Sequence, residues 1–129
     1  MKRRKILVVD DEEHVREMIE LRLTRFGFQV LHASTGEEAL EMTEREMPAL
    51  VLLDVMLPGV DGFQVCAQLK DNDATRDIPV MMLTAKGEAK DIIRAFDAGA
   101  VDYIVKPYDP LILQQKLVQS LGEEEPEEA

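Results

Sequence analysis

Cations, cysteine and long apolar runs are all scarce in this chain. Fifteen Lys and Arg stand against 26 Asp and Glu, a formal net charge of -11 over 129 residues. Five of those charges belong to Glu123, Glu124, Glu125, Glu127 and Glu128, and the rest of the chain still carries -6. Nucleic-acid binding needs clustered cations to neutralise phosphates, so this balance disfavours direct contact with nucleic acid. A single cysteine, Cys66, excludes an intrachain disulfide and fits a reducing, cytoplasmic setting. The basic start Lys2-Arg3-Arg4-Lys5 imitates the charged opening of an export signal, but only four apolar residues follow before Asp10 and Asp11. That run is too short for export or membrane insertion. A chain of this length is expected to form one domain with a real core, without repeats or a second folded unit.

What is present is a series of short apolar runs beginning near residues 6, 28, 50, 80 and 101, separated by amphipathic stretches of helical period. Strands alternating with helices predict a parallel sheet covered on both faces. The first helix is expected over His14 to Phe26, drawing on Val15, Met18, Ile19, Leu21, Leu23 and Phe26 and ending at Gly27. Thr35 and Glu38 have capping-box spacing for a second helix. A third is read from Phe63 to Leu69 after the turn formers Pro58, Gly59, Asp61 and Gly62, and a fourth from Glu88 to Ala98. Pro110 suits the first turn of a last helix that runs to Leu121. Residues 122–129 read as an acidic disordered tail or the start of a linker.

The chemistry lies where the apolar runs stop. Ile6-Leu7-Val8-Val9 ends in Asp10 and Asp11, Leu50-Val51-Leu52-Leu53 in Asp54, Val80-Met81-Met82-Leu83 in Thr84, and Val101-Asp102-Tyr103-Ile104-Val105 in Lys106. In a doubly wound sheet of order 2-1-3-4-5, ligands bind at the carboxyl ends of the strands, at the switch point between strands 1 and 3. The acids therefore fall at the expected crevice. Carboxylates this close repel, which calls for a raised pKa or a bound cation. Mg²⁺ suits them, since it takes one or two carboxylates, waters and a phosphate oxygen. Asp54 is placed to act as a carboxylate nucleophile in phosphoryl transfer, with Lys106 as a compact positive charge and Thr84 as a hydroxyl donor to a phosphoryl oxygen. Taken singly, each Asp is equally well a helix cap, Thr84 a strand-end hydroxyl, Lys106 a surface cation and Tyr103 a half-buried strand residue. His14 and His32 lack metal-ligand spacing, and Cys66 reads as a small buried hydrophobe.

The run of Val9-Asp10-Asp11-Glu12, Leu53-Asp54-Val55-Met56-Leu57-Pro58-Gly59-Val60-Asp61-Gly62, Leu83-Thr84-Ala85 and Val105-Lys106-Pro107 resembles the receiver domain of two-component response regulators over about residues 4 to 121. The resemblance implies a flavodoxin-like receiver fold with five helices over residues 1–121. It also implies Asp54 as phosphoacceptor and Asp11 and Asp54 as direct Mg²⁺ ligands, with Asp10 acting through bound water. The Met56 backbone carbonyl would be a further ligand. Thr84 and Lys106 would sense the phosphoryl group, Tyr103 would switch rotamer, and Lys106-Pro107 would be a cis peptide. The partners implied are a sensor histidine kinase or phosphotransfer protein upstream and a protein target downstream. The chemistry would be confined to self-phosphorylation and self-dephosphorylation; the rival readings are an aspartyl-nucleophile phosphohydrolase, which would need a second acid where Met56 stands, and a phosphate-independent scaffold of the same fold. Apolar Met56, with Lys86 two residues after Thr84, predicts slow loss of phosphate. In the last helix Ile112 and Val118 replace charges that pair receivers into salt-bridged dimers, although Asp102 and Lys116 remain. This predicts a monomer or weak dimer, with a partner surface around Ile112 and Lys116.

Overall fold

A computed structural model describes residues 4–85, 89–106 and 108–122. Among the described residues, five of the seven strands form one principal sheet. Its members are β1 (Lys5–Val9), β2 (Gln29–Ala33), β3 (Leu50–Asp54), β6 (Val80–Thr84) and β7 (Asp102–Val105), while β4 (Met56–Leu57) and β5 (Val60–Asp61) form a separate short hairpin. All pairings in the main sheet are parallel, in the order β2-β1-β3-β6-β7. Counting only these five strands, that is the expected 2-1-3-4-5.

Side-chain alternation explains why the three central strands are apolar except at their ends. Leu7, Val9, Val51, Leu53, Val80 and Met82 enter one core with Ala39, Phe63, Val65, Cys66, Leu69 and Ala95. Ile6, Val8, Leu50, Leu52, Met81 and Leu83 enter the other with Ile19, Leu23, Leu113 and Leu117. A strand buried on both faces shows no polar alternation, and every residue of β3 and β6 is buried. The helices behind the first core are α2 (Gly36–Glu46), α3 (Gly62–Asp71) and α4 (Ala89–Asp97); α1 (Glu13–Arg25) and α5 (Pro110–Leu121) cover the second.

Several local readings are refined. In α1 only Ile19 and Leu23 are buried, whereas Met18 and Leu21 are largely exposed and contribute little to the core. The Thr35 hydroxyl accepts from the Glu38 N–H at 3.1 Å, as a cap should. The reciprocal bond is displaced by one residue, because the Glu38 carboxylate accepts from the N–H and hydroxyl of Ser34 instead. Those bonds, the Ser34 N–H foremost, pull the Glu38 pKa below the usual carboxylate value. Helix α3 extends beyond the expected Phe63–Leu69 at both ends, since Asp61 caps it by accepting from the Phe63 N–H at 2.7 Å. Around the expected turn formers Pro58 and Gly59, Met56 pairs with Asp61 and Leu57 with Val60, giving the hairpin. Asp109 caps α5 ahead of Pro110, and Leu113 and Leu117, four residues apart, are buried. Residues 123–129, Lys86, Glu88 and the Lys106-Pro107 peptide bond fall on or touch positions outside the described residues. Among the described residues, no helix is long and apolar enough to cross a membrane.

Candidate functional site

Parallel register brings the strand ends to one rim. Val9 pairs with Leu53, Asp54 with Leu83 and Thr84 with Val105, so Asp10 and Lys106 emerge one residue beyond paired positions. Two backbone bonds hold these ends in place: Asp10 N–H donates to the Ala33 carbonyl at 3.1 Å, and Lys106 N–H to the Thr84 carbonyl at 2.7 Å. Ligand oxygens of Asp10, Asp11 and Asp54 all lie within 4.8 Å of one another. Asp10 and Asp54 are buried, while Asp11 is open to solvent.

The Lys106 ammonium is shared between the two buried acids, donating to Asp54 Oδ2 at 3.0 Å and Asp10 Oδ2 at 3.1 Å. Their other oxygens accept backbone N–H groups, Asp54 Oδ1 from Met56 at 3.1 Å and Asp10 Oδ1 from Glu12 at 2.9 Å. Each carboxylate is thus oriented from two sides. Asp10 Oδ1 meets Glu12 before the helix begins, and Glu12, the N-cap of α1, makes no side-chain cap bond. Burial raises the Asp54 pKa above the ordinary aspartate value; the bonds from Lys106 and Met56 oppose the rise and the Asp10 charge adds to it. For Lys106, burial works against the charged form, but the two aspartates outweigh it and hold the ammonium protonated. A cation therefore already resolves part of the repulsion among the acids. The donor set remains a fit for a hard divalent ion, being three carboxylates of which one faces solvent.

Thr84 is buried at the end of β6 and contributes to a cleft of about 620 Å³ that runs past Ala85, Met56, Val60 and Phe63 to Lys90 and Arg94. Arg94 closes its far side, donating to Asp61 Oδ2 at 3.0 Å and lying 4.3 Å from the centre of the Phe63 ring. Tyr103 is half-buried on β7, edge-on to Phe96 at 6.3 Å and 4.9 Å from the Lys116 ammonium. Lys116 is itself held by Asp102 at 2.8 Å. Ile112 is exposed and borders a shallow depression with Lys116 and Val118. His14 is exposed, and His32 sits between Arg16 and Glu20 rather than near the acids.

Two contributors were not legible from the motifs. Arg16 donates to the Asp10 carbonyl at 2.6 Å, anchoring the rim from α1. Gly62 passes so near the Asp54 carbonyl oxygen and Val55 Cα that a Cβ there would collide with both. The glycine allows the hairpin to fold back under Asp54. Its place directly after Asp61 in a turn-forming run was the available signal.

Comparison with known proteins agrees with this geometry. The family model described as the response regulator receiver domain matches residues 6–118. The chain is 49% identical over 113 residues to the probable transcriptional regulator ycf27 of Porphyra purpurea, covering 88% of this chain and 45% of that protein. It therefore spans less than half the length of such curated relatives. Among solved structures, a putative response regulator from Chloroflexus aurantiacus superposes with a TM-score of 0.89 at 39% identity, over 93% of this chain and 98% of that one. The receiver domain of the sensor histidine kinase PA1611 from Pseudomonas aeruginosa, solved with a magnesium ion in its active-site cleft, has a TM-score of 0.86 at 29% identity, over 94% and 99%. The chain belongs to the receiver domains of two-component response regulators, whose general function is phosphorylation-based signalling.

Proposed function

We propose that Asp54 accepts a phosphoryl group from a phosphohistidine of a sensor kinase or phosphotransfer protein, and that the resulting charge changes the α4–β7–α5 surface read by a protein target. The observation that carries this is the Lys106 ammonium set between buried Asp54 and Asp10. In the transfer, an Asp54 carboxylate oxygen forms a bond to phosphorus as the phosphorus–nitrogen bond breaks, and the electron pair leaves with the imidazole, which takes up a proton. Asp10, Asp11 and Asp54, with the Met56 backbone carbonyl, would hold Mg²⁺, Asp10 through water. When bound, the ion would supply positive charge to the phosphoryl oxygens.

Lys106 would follow the new negative charge, and the Thr84 hydroxyl would donate to a phosphoryl oxygen. Movement of Thr84 makes room for Tyr103 to turn inward, leaving its edge contact with Phe96 and its place under Lys116. The face that changes carries exposed Ile93, Phe96, Val105, Leu111 and Ile112. This reading makes the chain a regulatory switch working by population shift, with chemistry limited to its own phosphorylation and dephosphorylation. It also places the chain in the cytoplasm, as is general for response regulators, with output through protein contact. None of the acids, Thr84 or Lys106 is replaced, so nothing favours the phosphate-independent scaffold.

Intact-protein mass after incubation with Mg²⁺ and acetyl phosphate tests the proposal. One phosphoryl group should appear on the wild type, be absent from Asp54→Asn, and be lost with EDTA. Met56 is 75% exposed and offers no polar group to orient a water toward the acyl phosphate. After removal of the donor, the adduct should persist for minutes or longer. No adduct on folded wild type would sink the assignment of Asp54.

A further inference from the structure

Arg16, His32 and Glu20 form a chain of polar contacts that ends on the backbone of Asp10, and the phosphoryl chemistry above gives them no part. Arg16 Nη1 donates to the Asp10 carbonyl at 2.6 Å, and Arg16 Nε donates to His32 Nδ1 at 3.2 Å. On the far side of the imidazole, His32 Nε2 lies 2.8 Å from Glu20 Oε1. A guanidinium has only donors, so Nδ1 must be bare and the ring proton sits on Nε2, facing the Glu20 carboxylate. Arg16 and Glu20 stand four residues apart on α1, a spacing that suits a direct ion pair on one helix face. Here the imidazole from β2 stands between them, and the other arm of the guanidinium is turned onto the carbonyl.

That carbonyl belongs to the peptide joining Asp10 to Asp11, two of the three acids of the candidate metal cluster. The peptide is planar, so fixing its oxygen also fixes the direction in which the Asp11 backbone leaves it. Asp10 is already held elsewhere: its N–H donates to the Ala33 carbonyl, and its two carboxylate oxygens accept from Glu12 and Lys106. Asp11 is exposed and lies in the short connection between β1 and α1, outside both the sheet and the helix. The Arg16 bond therefore sets the peptide plane from which the Asp11 carboxylate projects. By charge alone, a guanidinium at the rim would repel a second cation, so a positioning role and a charge role act on metal affinity with opposite signs.

We infer that Arg16 is a positioning residue for the divalent cation: held by His32, which Glu20 orients in turn, it fixes the Asp10–Asp11 peptide and so presents the Asp11 carboxylate to the ion. None of the three touches the ion or the phosphoryl group. This inference rests on the assignment of Asp10, Asp11 and Asp54 as the Mg²⁺ cluster.

Calorimetric titration of the unphosphorylated protein with Mg²⁺ tests it without any turnover in the readout. Arg16→Ala should raise the dissociation constant about tenfold, the low end of what supporting bonds to metal-holding groups contribute. Arg16→Lys can reach the carbonyl but lacks the fork that also engages His32, and should fall between wild type and Arg16→Ala. His32→Phe removes the acceptor while keeping Arg16, and should weaken binding in the same direction. His32→Gln, whose amide can accept from Arg16 and donate to Glu20, should stay close to wild type. Melting curves in EDTA establish that each variant is folded; if Arg16→Ala is not, the two His32 variants carry the test. A dissociation constant for folded Arg16→Ala equal to or below that of wild type would overturn the inference, and so would equal binding by His32→Phe and His32→Gln. In protein labelled with nitrogen-15 in its two histidines, His14 and His32, the His32 ring should carry its proton on Nε2 alone. A proton on Nδ1 would leave Arg16 Nε with no acceptor there and would also overturn it. Absence of Mg²⁺ binding by folded wild type would remove the metal assignment and this inference with it, whereas normal binding by wild type beside equally tight binding by Arg16→Ala would remove the inference alone.

Discussion

At the scale of single residues, burial and pairing decide how each titratable group behaves. Cys66 is fully buried between α3 and the sheet, and burial raises its thiol pKa to about 11, with Lys70 opposing weakly. The folded chain therefore holds this proton more tightly than the unfolded one. The associated stability is complete below the ordinary thiol value of 9.0 and is lost as pH rises through about 11. Thermal melts between those limits should fall more steeply for wild type than for Cys66→Ala, and a parallel fall in both would refute the linkage. Lys106 presents the opposite case, a cation kept charged by two acids. Its loss in Lys106→Ala leaves Asp10 and Asp54 facing each other, at a cost of about 2 kcal/mol in metal-free buffer; the lysine retains 25% of its side-chain exposure, so the effect is smaller than for a fully buried pair. Denaturant unfolding with and without Mg²⁺ should show this penalty shrinking when the ion is present.

Elements are fixed mainly by their ends. Helix α2 has five acidic residues and only Arg45 as a cation, with just Ala39 and Thr43 as buried side chains beyond Gly36. It depends on the Thr35 cap and on Glu38 holding Ser34. Thr35→Ala should lower unfolding stability by about 1 kcal/mol while leaving phosphorylation intact, since the cap lies away from the acids. An unchanged denaturation midpoint would show that packing alone sustains the helix. The Glu38 contribution has the reverse pH sense to that of Cys66: its pKa is lowered, so the stability is present above the ordinary value of 4.5 and disappears as pH falls through the folded value. Helix α4 is tied to α3 through Arg94 on Asp61 and Phe63, and α5 to β7 through Lys116 on Asp102. The face between α4 and α5 is thus framed by ion pairs while presenting apolar side chains outward.

For the whole molecule, a charge conflict sits at the edge of a well-filled core. Three acids meet where parallel strands end, with one ammonium between two of them. Any ion that binds there stabilises the folded chain by mass action, by about 2.7 kcal/mol at a hundredfold excess over its dissociation constant. Mg²⁺ should raise the melting temperature of wild type progressively with concentration, EDTA should reverse the gain, and Asp11→Asn should reduce it. Identical melting curves with and without Mg²⁺ would exclude binding at this cluster. The requirement for the whole fold is plain here, because the acids are contributed by β1 and β3, which are more than forty positions apart in sequence.

The amino-acid order by itself determined the alternation of strands and helices and the identity of the residues at each strand end, while the order of the five strands was implied by the family resemblance. It could do so because strands buried on both faces must be continuously apolar, and a polar residue that stops such a run stands at the rim. The start of helix α5 was legible for a similarly local reason, the proline in its first turn. Only the tertiary structure decided that Lys106 lies between Asp10 and Asp54, that Arg16 anchors Asp10, that Met18 and Leu21 face outward, and that Gly62 must pass under Asp54. These are contacts among residues distant in sequence or choices of helix face, and they follow from strand register and from which side of the sheet each helix covers, neither of which any short motif contains.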